Sequence, residues 1–148
     1  MAAEPRDRPD VRVMTEIGII AQLSTASLER TLPDGMSAAQ FGVLTHFMRR
    51  GGTETPAQLA RAFQVTKGAM TNTLQRLEAQ GFVRIVGDET DGRRKLVTLT
   101  EAGARAFNAG LGAMKPHLDA MRAAFTEDEF KAALPFLQAL RIWLDENR

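Results

Sequence analysis

The sequence predicts a mainly α-helical chain with one small β-hairpin. Three observations predict it. Apolar residues recur at three- and four-residue steps over most of the 148 residues. Hydroxyl residues stand three positions before a glutamine or glutamate at Ser37, Thr55 and Thr126, the pattern that starts a helix. Two short apolar runs, FVRIV and LVTL, flank one charged insert rich in turn residues. Two helices separated by three or four residues, the second ending in glycine before a hairpin, make a helix-turn-helix with an appended wing.

The elements follow in order. MAAEPRDRPD carries charge and no apolar stretch, and reads as a flexible arm over residues 1–10. Met14, Ile17, Ile20, Ala21, Ser24 and Leu28 then form a stripe that no proline interrupts, ending before the Asp34-Gly35 turn. Phe41, Val43, Leu44, Phe47 and Met48 fill a second helix, which Arg49 and Arg50 suit by charge and Gly51-Gly52 stop. Pro56 sits where a missing N–H costs nothing and opens a short third helix with Leu59, Ala60 and Phe63. Thr66 caps the fourth, expected over residues 67–80, with Met70, Leu74 and Leu77 on one face and Gly81 just past its end. The hairpin is expected over residues 82–99, its strands at 82–86 and 95–99, with Asp91-Gly92 in a tight turn.

After Thr100 comes a long helix with Phe107, Leu111, Met114, Leu118 and Met121, in which Pro116 predicts a kink or break. A last helix carries Phe130, Leu134, Leu137, Leu140 and Leu144, and Pro135 is expected to bend it. The organisation is therefore an N-terminal helix (11–34), a winged helix-turn-helix (35–100) and C-terminal helices (101–148). The small central region cannot cover every apolar stripe of the terminal helices. Pairing with a second copy is the expected cover, with an intramolecular bundle as the alternative.

Composition narrows the function classes. There is no cysteine, which excludes disulfides, a thiol switch and a cysteine nucleophile. His46 and His117 are far apart and in no metal-ligand spacing, and His46, beside Phe47, reads as a packed or surface residue and not as a ligand contact. Trp143 reads as an interface or core anchor. No metal, no cofactor and no catalytic set is expected, so the chain is not read as an enzyme. No apolar run reaches membrane-spanning length, and the expected compartment is the cytoplasm.

Net charge is only +1, but it is unevenly placed. Residues 55–100 hold seven basic and four acidic side chains; the rest of the chain holds more acids than bases. The fourth helix turns Lys67, Gly68, Thr71, Asn72, Gln75 and Arg76 away from its apolar face. Asparagine and glutamine can bond adenine edges, and arginine or lysine can reach guanine or phosphate. Thr66 and the free amides behind it suit a phosphate. Such a face alone is an ordinary solvated surface; a glycine in the first turn costs up to about 1 kcal/mol against alanine, which either close approach of another backbone compensates or the helix carries as a neutral residue. On the hairpin, Arg93, Arg94 and Lys95 can straddle phosphates, with Asp91 bonding the Arg93 guanidinium and Gly92 hinging the turn. Asp88 and Glu89 would repel phosphate and are expected to face away from it.

These stretches resemble the MarR (multiple antibiotic resistance regulator) family of bacterial transcription factors. DGRRKLVTLTEAG is similar to the family's wing signature, TKGAMTNTLQRLEAQGFVRI to its recognition helix running into the wing, and SAAQFGVLTHF to its second helix. The resemblance runs from about Val11 to the end. It implies a homodimeric winged helix-turn-helix repressor that reads a pseudo-palindromic double-stranded operator and is released by a small, often aromatic, acid. It places Thr66, Lys67, Gly68, Thr71, Asn72 and Arg76 in the groove and Arg93 at the wing tip with Asp91 as its partner. The chain departs from the pattern at Gln64, in place of a small residue, at Asn72, where a base is frequent, and at Thr73, where an apolar residue is usual. A winged-helix module used for protein contacts is the alternative reading.

Overall fold

The computed structural model describes residues 8–148. Most of the expected arm lies outside them, and Pro9 and Asp10 already belong to the first turn of α1 (Pro9–Thr31). A proline at that position has its φ set for a helix and lacks an N–H that would find no intrahelical acceptor. There follow α2 (Ala38–Arg50), β1 (Thr53–Glu54), α3 (Pro56–Phe63), α4 (Lys67–Ala79), β2 (Val83–Gly87), β3 (Lys95–Leu99), α5 (Glu101–Ala124) and α6 (Glu127–Glu146). The mainly helical class and the hairpin are as the sequence predicts. β1 is an addition: it pairs antiparallel with β3 and makes a three-stranded sheet in the order β1-β3-β2.

The caps explain the helix starts. Ser37, Thr55 and Thr126 each accept a hydrogen bond from the amide three residues on, and the side chains of Gln40, Gln58 and Glu129 return the bond to the cap residue's own amide. At the end of α4, Phe82 donates its N–H to the Leu77 carbonyl and Gly81 donates to Glu78. This termination needs a left-handed residue, and Gly81 supplies it with φ +76°. Gln64 takes the same role after α3 at φ +54°, the one non-glycine residue with positive φ among those described.

The chain divides into two compact units, Met1–Ala113 and Met114–Arg148. The interior of the first is built from Val43, Leu44 and Phe47 of α2, Leu59 and Ala60 of α3, Met70, Leu74 and Leu77 of α4, and Val83 and Val97 of the sheet. The unit continues beyond Thr100 because the start of α5 packs closely. Phe107 stacks on Phe41 at 5.5 Å, and a Cβ added to Gly110 would meet the Phe41 ring at 2.4 Å. His46 takes the packed setting of the two: it is buried, its Nε2 bonds the accepting Glu54 carboxylate at 2.9 Å, and its ring is tilted against Phe63.

In the second unit Phe125 and Phe130 meet edge to face at 6.3 Å, and α6 buries none of its residues. The break expected at Pro116 does not occur: α5 runs unbroken through it. A proline inside a helix removes one intrahelical hydrogen bond, and the helical assignment continues on both sides of Pro116.

Candidate nucleic-acid interface

The fourth helix is held by its apolar side. Met70, Leu74 and Leu77 are buried, which turns Lys67, Gly68, Thr71, Asn72, Gln75 and Arg76 to solvent. Thr66 caps the helix, its hydroxyl accepting from the Ala69 amide at 3.1 Å. The amides of Lys67 and Gly68 then have no intrahelical acceptor and point out at the positive end of the helix dipole. No atom of the chain lies within 4 Å of a Cβ built on Gly68. Nothing inside the fold therefore requires glycine there.

The hairpin is ordered by short local bonds. β2 and β3 pair from Val83↔Leu99 to Gly87↔Lys95, and Asp88 donates its N–H to the Arg94 carbonyl beyond the last pair. At the tip, Arg94 donates its N–H to the Asp91 carbonyl, and the Asp91 carboxylate accepts from the Arg93 backbone N–H at 3.1 Å. This corrects the expected grip of Asp91 on the Arg93 guanidinium: the carboxylate shapes the turn and leaves the Arg93 side chain exposed. Gly92 is the first inner residue of that turn, and its φ is not positive. A turn closed from residue 91 to 94 in the type I manner needs no left-handed residue.

Asp88 has a different task from the one its charge suggests. Its carboxylate accepts from the Thr90 hydroxyl at 2.7 Å and the Thr90 amide at 2.9 Å. Those bonds, the hydroxyl first, hold the carboxyl below its ordinary value, with a smaller contribution from Arg94, whose Nε lies 3.9 Å away.

Helix and hairpin meet across a cleft of about 500 Å³. Its walls are Lys67 and Thr71 of α4, Arg93, Arg94 and Lys95 of the wing, and Thr55, Pro56, Ala57 and Gln58 at the start of α3. Four cations line it and no acid does. The structure thus brings Lys67 and Thr71 together with the wing cations, while Gly68, Asn72, Gln75 and Arg76 lie on the exposed helix face outside the cleft. The α3 wall is the part that sequence reasoning passed over; the capping box at Thr55 placed a helix start there but gave no sign of what it faced.

Comparison with known proteins gives a consistent picture. The family model described as MarR family matches residues 34–94, from the turn before α2 to the wing. The chain is similar to the HTH-type transcriptional regulator PecS of Dickeya dadantii (strain 3937), 29% identical over 135 residues, 83% of this chain and 79% of that protein. Its fold is similar to a crystal structure of MarR, with a TM-score of 0.80 and 27% identity over 99% of this chain and 98% of that one. It is also similar to a mutant MarR from Escherichia coli complexed with operator DNA, with a TM-score of 0.69 and 28% identity over 87% of this chain and 93% of that one.

Proposed function

We propose that the chain is a transcriptional regulator of the MarR type, whose family model matches residues 34–94, and that it works as a homodimer that binds a pseudo-palindromic DNA operator in the cytoplasm, represses there, and is released by a small acid. The observation that carries the DNA reading is the cleft: four cations, two capped helix starts and no acid, beside an exposed helix face of hydrogen-bond donors. Thr66, Lys67, Arg93, Arg94 and Lys95 are assigned to phosphate and minor-groove contacts, and Gly68, Thr71, Asn72, Gln75 and Arg76 to the major groove. Asp91 shapes the wing turn. The similar MarR from Escherichia coli complexed with operator DNA supports this reading.

The dimer reading rests on apolar surface. α1 and α6 bury no residue, yet Ile20, Leu23, Leu134, Phe136 and Trp143 are each at least half exposed. Surface of that kind on long helices is covered in solution by a second copy. Two recognition helices about 34 Å apart would then meet successive turns of one DNA face. A small acid seated among Lys67, Arg93 and Arg94 would occupy cations that DNA phosphate needs, and binding only one of the two states shifts the population away from DNA.

Selection of bound fragments from random duplex DNA tests the proposal. The expected outcome is an inverted repeat, with affinity falling by about 0.9 log units per phosphate contact for each log unit of salt. Recovery of no sequence, with a flat salt dependence, would transfer the chain to the protein-contact reading. Light scattering should give twice the 16.2 kDa chain mass at micromolar concentration, and a 16.2 kDa species alone would remove the dimer.

A further inference from the structure

Glu78 is the one acid on α4, the helix whose exposed face is otherwise donors and small residues. An acid there repels phosphate, so its presence asks for a reason. The structure supplies one at the free edge of the sheet. β2 pairs only with β3, so every second N–H of β2 points away from the sheet. Thr100 donates to the Phe82 carbonyl and Asp88 donates to the Arg94 carbonyl, which puts the even-numbered positions on the paired side and Ile85 on the open side. Glu78 accepts that outward Ile85 N–H through Oε2 at 3.2 Å.

We propose that Glu78 is a positioning residue for DNA recognition: its carboxylate ties the wing to the recognition helix by holding the Ile85 amide, and so fixes where Arg93 sits relative to Asn72 and Arg76. This rests on the DNA-binding reading above. The bond is the only side-chain link from α4 to the hairpin strands among the hydrogen bonds of the described residues. The other hydrogen bonds between them are backbone bonds of the connecting turn, Phe82 to Leu77 and Gly81 to Glu78; Val83 and Val97 also pack with Leu74 and Leu77 in the core, and Glu78 adds the hold on the open edge of β2. A carboxylate serves because the acceptor must reach a backbone N–H from a helix; glutamine has an acceptor oxygen at the same reach and no charge.

The test compares Glu78→Ala with Glu78→Gln on the full-length chain. It uses the duplex selected by the wild type and amide hydrogen exchange of the free protein. Glu78→Ala should bind that duplex about tenfold more weakly and expose the Ile85 amide to faster exchange, while Glu78→Gln stays within about threefold of wild type and keeps the amide protected. In the Glu78→Ala background, adding Arg93→Ala should have less than half of its usual effect on log affinity, because the arginine is already misplaced; a loss of general stability would leave the two effects additive. If alanine and glutamine tighten binding alike, Glu78 is only a repelling charge and the proposal is overturned. An unchanged Ile85 exchange rate in Glu78→Ala overturns it as well. A wild-type chain that selects no DNA overturns the proposed function, and with it any part of Glu78 in recognition, whatever the exchange data show.

Discussion

α4 and α6 begin alike and end in opposite circumstances. Each starts at a threonine whose hydroxyl accepts from the third amide, and each carries a helical stripe of apolar residues. α4 buries its stripe, Met70, Leu74 and Leu77, at 3% exposure or less, and shows solvent a polar face. α6 is longer, buries nothing, and leaves Phe136 and Trp143 more than half exposed. Periodicity tells which residues share a face; it does not tell what covers that face. The polar face of α4 suits phosphate and base edges. The uncovered apolar face of α6 suits another apolar surface.

The largest effects should separate the two helices by kind. Leu74→Ala, inside the first unit, should lower stability by about 2–5 kcal/mol through lost burial and the cavity left behind, measured by chemical denaturation. Trp143→Ala should leave that unit's folding intact and instead weaken self-association by about 2 kcal/mol, roughly thirtyfold, as loss of an aromatic anchor does. Sedimentation over a concentration series reads it. If Trp143→Ala left association unchanged and lowered stability at every protein concentration, α6 would be covered within its own chain and the contrast would fail.

A second pair of substitutions divides the polar surface itself. Arg93→Ala should weaken binding to all duplexes and reduce the salt slope by about 0.9, the share of one phosphate. Asn72→Ala should cost about 1–3 kcal/mol at one base position per half-site and leave the slope unchanged. Titrations of wild type and variants at several salt concentrations, with mismatched operators, give both readings. Equal effects of both substitutions on every sequence would merge helix and wing into one unspecific anion surface.

Much of this was legible in the sequence because it is local. Capping boxes at Ser37, Thr55 and Thr126 act over three residues, and Gly81 ends α4 through bonds spanning five. What stayed hidden is set by contacts between distant segments. β1 is two residues long and exists because Thr53 and Glu54 find Thr98 and Val97 some forty residues later. The α3 wall of the cleft faces the wing only after the sheet has closed. At the wing tip the sequence shows which residue types are neighbours but not which atoms meet. Aspartate two residues before arginine suggests an ion pair, yet its short side chain meets the nearer backbone N–H first. Gly68 was noticed for its cost in a helix, and the structure sharpens the point by showing no internal neighbour that demands it.

Gly68 yields a smaller effect with opposite signs in two measurements. Gly68→Ala should raise the thermal stability of the free protein by up to about 1 kcal/mol, since alanine loses less backbone freedom and meets nothing. The same methyl group should weaken operator binding if α4 lies close in the groove. Stabilisation together with unchanged DNA affinity would make the glycine a neutral residue and put the close approach elsewhere on the helix.

The smallest expected effect is confined to the wing tip and depends on pH. The Asp88 carboxyl is held below its ordinary value by the Thr90 hydroxyl and amide. A group whose folded value is depressed contributes order that is complete above the ordinary carboxylate range, near about 3.9, and is lost as pH falls through the lower folded value. The wing tip should therefore stay ordered through mildly acidic conditions and loosen only in more acidic ones. The Thr90 amide shift followed by NMR would report this, with a midpoint below that of a free aspartate, and Asp88→Asn should abolish the titration while keeping an acceptor oxygen. The α6 cap has the same arrangement, Glu129 being lowered by the Thr126 amide and then its hydroxyl. The two midpoints can be compared in one titration. A Thr90 midpoint at or above the ordinary range would mean that Asp88 does not hold the turn, leaving Asp91 alone to shape the tip that carries Arg93.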